Sequence, residues 1–151
     1  MNDEKFLKTI ELLIEKNDEI PVIVEGKRDL ISLRKVGLKG QIIIFNNGKK
    51  IIEFTEEIIE NYREIIILFD RDRKGKLLTE TISRILSSRG IHVILEFREM
   101  IFNYSDAKSI EEIYTYYENS LERKINGKRW KNDSFGYRRN SPYFRNRNNG
   151  R

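Results

Sequence analysis

Two short acidic segments hold the residues best suited to chemistry in this 151-residue chain. Glu25 stands in Val24-Glu25-Gly26-Lys27-Arg28-Asp29, and two aspartates stand in Phe69-Asp70-Arg71-Asp72-Arg73-Lys74-Gly75. An Asp-x-Asp pair at a bend aims two carboxylates at one point, and a glutamate from a second strand adds a third hard oxygen donor. Such a set suits magnesium, with manganese as an alternative, because magnesium keeps several waters and binds through few carboxylates plus substrate phosphates. Crowded acids repel one another without a cation, which favours an ion among them. Lys27, Arg28, Arg71, Arg73, Lys74 and Lys76 flank the acids and are placed to receive phosphates. Gly75 permits a close approach at a helix start. The plainer reading is a pair of solvated turns, since charged residues are common at strand ends.

The elements that must position these residues follow from apolar spacing. Phe6, Leu7, Ile10, Leu13 and Ile14 mark one face of a helix over Asp3 to Asn17. Ile20 to Val24 is a short β-branched run of the kind found in a buried parallel strand. A helix over Asp29 to Val36 ends at Gly37, and Gln41 to Phe45 reads as a second strand. Asn46-Asn47-Gly48 is a tight turn, followed by a helix over Lys49 to Tyr62. Glu64 to Phe69 is the third strand, Lys74 to Arg89 a helix stopped by Gly90, and Ile91 to Phe97 a fourth strand. A last helix spans Lys108 to Lys124. Strands alternating with helices of this length predict an α/β fold, a parallel sheet covered on both faces. In it both acidic segments directly follow strands, where α/β proteins place their chemistry. Strand order is not legible from the pattern.

Length and composition narrow the field. The chain has room for one domain of ordinary size, and the absence of cysteine excludes disulfide scaffolds, thiol catalysis and thiolate zinc sites. With no signal-like N-terminus and no membrane-spanning apolar run, a cytoplasmic protein without membrane partners is expected. The only histidine, His92, falls within the fourth strand and reads as structural. Neither of the Gly-rich phosphate loops of common nucleotide folds occurs.

The net charge of +5 is unevenly spread. Residues 1–120 hold 19 Lys+Arg against 22 Asp+Glu, whereas residues 121–151 hold 10 against 2. In the latter stretch Arg129, Arg138 and Arg139 interleave with Trp130, Phe135, Tyr137, Tyr143 and Phe144. Arginines contact phosphates and aromatics stack on unpaired bases, so RNA or single-stranded DNA is the expected partner. A solubilising or protein-docking segment is the competing reading. The domain expectation is an N-terminal helix over 1–19, a core over 20–124, and a basic, disordered tail over 125–151.

Glu25-Gly26-Lys27-x-Asp29 followed by Asp70-x-Asp72-x-x-Gly75 resembles the Toprim domain. That domain occurs in type IA topoisomerases, bacterial-type primases, OLD-family nucleases, recombination proteins and ribosomal-RNA maturation nucleases. The first motif is most similar to those of small stand-alone Toprim proteins and the rRNA maturation nucleases. The resemblance spans roughly residues 20–118 and implies a compact, Rossmann-like sheet of about four parallel strands. It implies Glu25 as a proton-transfer group or metal ligand, and Asp70 and Asp72 as ligands of magnesium. By the same resemblance, Asn46 and Gly48 form a turn near the site and Lys27 is a phosphate contact. Asp29 either belongs to the motif or caps its helix, and Asp106, Lys108 and Glu111 match more loosely.

The resulting expectation is a magnesium-dependent phosphoryl-transfer protein, foremost a nuclease acting on RNA or DNA. A non-catalytic module that binds nucleic acid or a ribonucleoprotein is the alternative, and primase-like activity a third. Tyr114, Tyr116 and Tyr117 are expected to pack rather than react, because no separate domain is present to carry a topoisomerase nucleophile.

Overall fold

Continuous apolar strands are explained by a sheet buried on both faces. The computed structural model describes residues 1–45 and 48–133, with side chains through residue 127. Its elements are α1 (Asp3–Asn17), β1 (Val22–Val24), α2 (Lys27–Val36), β2 (Ile42–Ile44), α3 (Ile51–Asn61), β3 (Glu64–Ile67), α4 (Arg73–Ser88), β4 (His92–Ile94) and α5 (Glu96–Tyr104). A 3-10 turn at Ile110–Glu112 then leads into α6 (Ile113–Asp133). All four strands are parallel, in the order β2-β1-β3-β4, with Val22 opposite both Ile42 and Ile66. The α/β, Toprim-like fold expected from the sequence is the fold observed.

Alternate strand residues serve two cores. Val22, Val24, Ile66 and Leu68 face α1, α2, α5 and α6, where they meet Phe6, Ile10, Leu33, Ile101 and Ile113. Ile23, Ile65, Ile67 and Phe69 face α3 and α4 and meet Phe54, Ile58, Ile82 and Leu86. Each fully buried aliphatic or aromatic side chain contributes roughly 1.5–3 kcal/mol of burial free energy. The first core is stapled further by Arg123 of α6, which donates to Asp3 of α1 at 2.6 and 3.0 Å.

The end of the expected fourth strand is a correction. The sheet pairing stops at Ile94, and Glu96 opens α5, whose Phe97, Ile101 and Phe102 are buried. The run from Ile91 to Phe97 is apolar enough to pass for one strand, yet its last residues belong to the helical period of the next element. The last helix also starts later than expected and runs past Lys124 to Asp133. His92 lies in β4 and is exposed, with Nδ1 2.9 Å from Glu64 Oε2.

Candidate metal and phosphate site at the strand ends

The strand order creates the site. From β1 the chain moves outward to β2, then returns to the other side of β1 as β3. Such a switch point opens a crevice beyond the carboxyl ends of the two central strands, and ligands of α/β proteins bind there. Glu25 directly follows β1, and Asp70 lies three residues beyond β3, so acids 45 positions apart in sequence stand side by side.

Backbone amides hold the acids in place. The Asp70 amide donates to Glu25 Oε2 at 2.9 Å. Asp70 Oδ1 accepts from the Ile110 amide at 2.8 Å, and Asp72 Oδ1 accepts from the Gly75 amide at 2.7 Å as the N-cap of α4. Asp29 Oδ2 accepts from the Gly26 amide at 3.1 Å, so Asp29 closes the start of α2 while facing the same acidic cluster. The helix-start reading of Asp29 is the one this hydrogen bond carries.

Burial raises the Glu25 pKa, as do the charges of Asp70 and Asp72, against the opposing hydrogen bond from the Asp70 amide. Burial likewise raises Asp70, with the Ile110 amide and Arg98 opposing it and Asp72 and Glu111 adding to it. Asp29 is pushed up to about 6, first by burial and then by the charge of Asp70. Three acids thus carry charge at an unfavourable cost near neutral pH, a cost that a cation among them relieves.

The other expected residues divide by position. Lys27, Arg28, Arg73 and Lys74 are exposed in the first turns of α2 and α4, at the same edge of the sheet as the acids. Arg28 reaches Glu111 at 3.4 Å, and the charge of Lys74 acts on Glu25. Arg71 turns away along α5, donating to the Phe102 carbonyl at 3.3 Å. Gly26 is the N-cap of α2, in extended backbone open to other residues. Gly75 is the more demanding glycine: a Cβ there would lie 2.0 Å from the Asp70 carbonyl oxygen. Gly48 adopts a positive φ of 87° in the turn before α3, a conformation suited to glycine. Asn46, Arg138 and Arg139 lie outside the described residues, as does the side chain of Arg129. Asp106 is exposed and makes no hydrogen bond to the acids among the described residues.

Further contributors were missed from sequence. Arg98 on α5 donates to the carbonyls of Phe69 and Asp70 at 2.9 and 2.6 Å. The helical spacing of Phe97, Ile101 and Phe102 carries the signal for α5, but nothing local joins Arg98 to a turn 28 residues earlier. The Ile110 amide left no side-chain signature at all. Lys49 and Lys50 precede α3 and add cations to the same edge.

Four parallel strands ending in an acidic switch point, rimmed by cationic helix starts, define a Toprim-like α/β domain. Residues 22–111 match the Toprim-like family, and the chain belongs to that family. It is similar to UPF0292 proteins from two archaea. The one from Thermoplasma volcanium is 41% identical over 110 residues, covering 73% of this chain and 92% of that protein. The one from Methanocaldococcus jannaschii is 37% identical over 120 residues, covering 78% and 94%. A solved structure of an Aquifex aeolicus protein superposes with a TM-score of 0.62 at 28% identity, covering 70% of this chain and 94% of that one. Family membership points to a metal-dependent function connected with nucleic acid.

The donor set fits the magnesium that Toprim domains usually bind. Among the described residues, Glu25, Asp70 and Asp72 each spend one oxygen on a backbone amide and keep a second oxygen free of protein hydrogen bonds. These are hard oxygens of the type magnesium selects. No three acidic or imidazole groups among the described residues converge tightly enough to cage an ion by themselves. No helix among the described residues is long and apolar enough to cross a membrane.

Proposed function

We propose that this protein is a magnesium-dependent nuclease that hydrolyses phosphodiester bonds in RNA or DNA. The observation that carries the reading is the excess of cations over acids at the helix starts around the site. Helix N-termini favour acidic side chains, because the helix dipole places partial positive charge there. At this edge α2 begins with Lys27 and Arg28, α3 follows Lys49 and Lys50, and α4 begins with Arg73 and Lys74. Lys27, Arg73 and Lys74 form no ion pair among the described residues. Cations such as Lys27, Arg73 and Lys74, gathered beside the acids without ion-pair partners among the described residues, suit a polyanion lying across the helix starts.

In this reading Asp70 and Asp72 hold the ion through their free oxygens, and Glu25 handles the proton. What magnesium supplies when bound is polarisation of a phosphate oxygen and acidification of a coordinated water. Burial raises the Glu25 pKa from its ordinary value, the direction that helps a carboxylate take and return a proton. The Asp70 amide holds one oxygen of the Glu25 carboxylate and leaves the other without a protein hydrogen bond among the described residues. Lys27, Arg28, Arg73 and Lys74 seat the phosphodiester, and Arg129, Arg138 and Arg139 extend the contact along the strand.

Purified protein with magnesium is expected to cleave structured RNA or DNA, and Asp70→Ala or Glu25→Ala to reduce cleavage at least about a hundredfold. Undiminished cleavage in both variants would overturn the assignment. A second reading, a nucleic-acid or ribonucleoprotein-binding module without turnover, is favoured by the structural work the acids already do. Asp72 caps α4 and Asp29 closes the start of α2. Salt-sensitive binding without cleavage under magnesium or manganese would decide for that module.

A further inference from the structure

Beyond the acids themselves, we propose that Arg98 is a positioning residue that sets the direction of the Asp70–Asp72 turn; its metal readout rests on the magnesium reading above. The β3 ladder ends with the Leu68 amide donating to the Ile23 carbonyl. The next two carbonyls, of Phe69 and Asp70, lie beyond that ladder, with Phe69 fully buried. Buried carbonyls without a donor cost as much as a lost hydrogen bond. Arg98 meets both: Nε donates to the Phe69 carbonyl at 2.9 Å and Nη2 to the Asp70 carbonyl at 2.6 Å.

A planar guanidinium spanning consecutive carbonyls fixes two peptide planes at once. Those planes carry the Asp70 amide that holds Glu25, and they set the direction in which Asp70 leaves the strand. Gly75 packs close against the same carbonyl, where an added Cβ would lie 2.0 Å from the Asp70 oxygen. Arg98 is itself held by Phe102 one turn further along α5, with its guanidinium carbon 5.9 Å from the ring centre. Its charge also opposes the repulsion among the acids at Asp70. A lysine keeps that charge but is a point donor, unable to hold both carbonyls in the same plane.

The two effects of Arg98 on a cation have opposite signs, which makes the role testable. Loss of positive charge alone would tighten divalent binding, whereas loss of positioning weakens it. The experiment measures manganese affinity by calorimetry on full-length wild type, Arg98→Lys and Arg98→Gln. Amide hydrogen exchange at residues 70–72 is followed in the metal-free proteins. Both variants are expected to bind manganese about tenfold or more weakly, with exchange accelerated at residues 70–72. Phe102→Leu, which keeps the hydrogen bonds and loosens their support, is expected to move both readouts less in the same direction. Leu86→Val, a core change on the opposite sheet face, should lower stability without moving either. Tighter manganese binding in Arg98→Gln, or unchanged exchange in both Arg98 variants, would overturn the proposal. If wild type binds no manganese, the magnesium reading fails, and the exchange data alone still decide the role of Arg98.

Discussion

Replacing Gly75 by alanine separates the site's geometry from ordinary helix preference. Gly75 occupies the first turn of α4, where alanine would normally help by up to about 1 kcal/mol. Here an added Cβ would lie 2.0 Å from the Asp70 carbonyl oxygen, 2.7 Å from its carbon and 2.9 Å from its nitrogen. All three atoms are backbone, so no flexible side chain can yield. Restoring a tolerable contact moves the start of α4 or the Asp70 peptide by about 1 Å. Overpacking of this kind costs about 1–3 kcal/mol, and the shift also strains the 2.7 Å bond from the Gly75 amide to Asp72. The expected net loss is about 1–2 kcal/mol, or roughly 2–8 °C in Tm for a domain of this size. Manganese affinity should fall about tenfold or more, because both aspartates move with the turn. Thermal unfolding and calorimetric titration test both statements. Gly127→Ala is the matched control, a glycine of α6 with nothing within 4 Å of its Cβ position. It should gain up to about 1 kcal/mol and leave metal binding untouched. A Gly75→Ala protein as stable and as metal-competent as Gly127→Ala would refute the reasoning.

The raised acids predict a pH response without metal. A carboxyl whose folded pKa exceeds its unfolded value gives stability that is full below the unfolded value and lost as pH rises through the folded one. For Asp29 that window runs from 3.8 to about 6, so metal-free Tm should fall across it. Asp29→Asn, which keeps an oxygen for the Gly26 amide, should flatten the trend; an unchanged slope counts against the assignment. Asp3 runs the other way, because its hydrogen bond with Arg123 holds its pKa below 3.8. Asp3→Ala should cost about 1 kcal/mol by urea unfolding near pH 7, a difference that shrinks as the pH falls below the ordinary carboxylate range. Residues 134–151 contain five arginines and no acid. Deleting them should reduce the slope of log affinity against log salt for single-stranded nucleic acid by up to about 3.5, and an unaltered slope would remove that stretch from the interface.

Strong local signals were legible and long-range ones were not. The face formed by Phe6, Ile10 and Leu13 foretold α1 to the residue, and the apolar runs after Pro21 and Glu64 foretold the two central strands. Glu25, Asp70 and Asp72 stood out because acids directly after buried strands are chemically conspicuous. Their adjacency required the strand order, which depends on pairing between distant segments rather than on spacing. α5 was hidden because strand and helix share the apolar run around Leu95. Arg98 and the Ile110 amide were invisible for a different reason: each acts on the backbone or side chain of a residue far away in sequence.

The helix that ends the described chain also sets a length. α6 follows directly on the 3-10 turn whose Ile110 amide holds Asp70. It is 21 residues long, and at 1.5 Å per residue it spans about 31 Å. Its last residue therefore stands about 30 Å from its first, which is about nine base steps at 3.4 Å each. A nucleic acid held at both the acidic edge and the last turn of α6 has to bridge a comparable distance. Under the proposed function the helix would act as a ruler, and oligomers shorter than this measure would be expected to occupy one end or the other but not both.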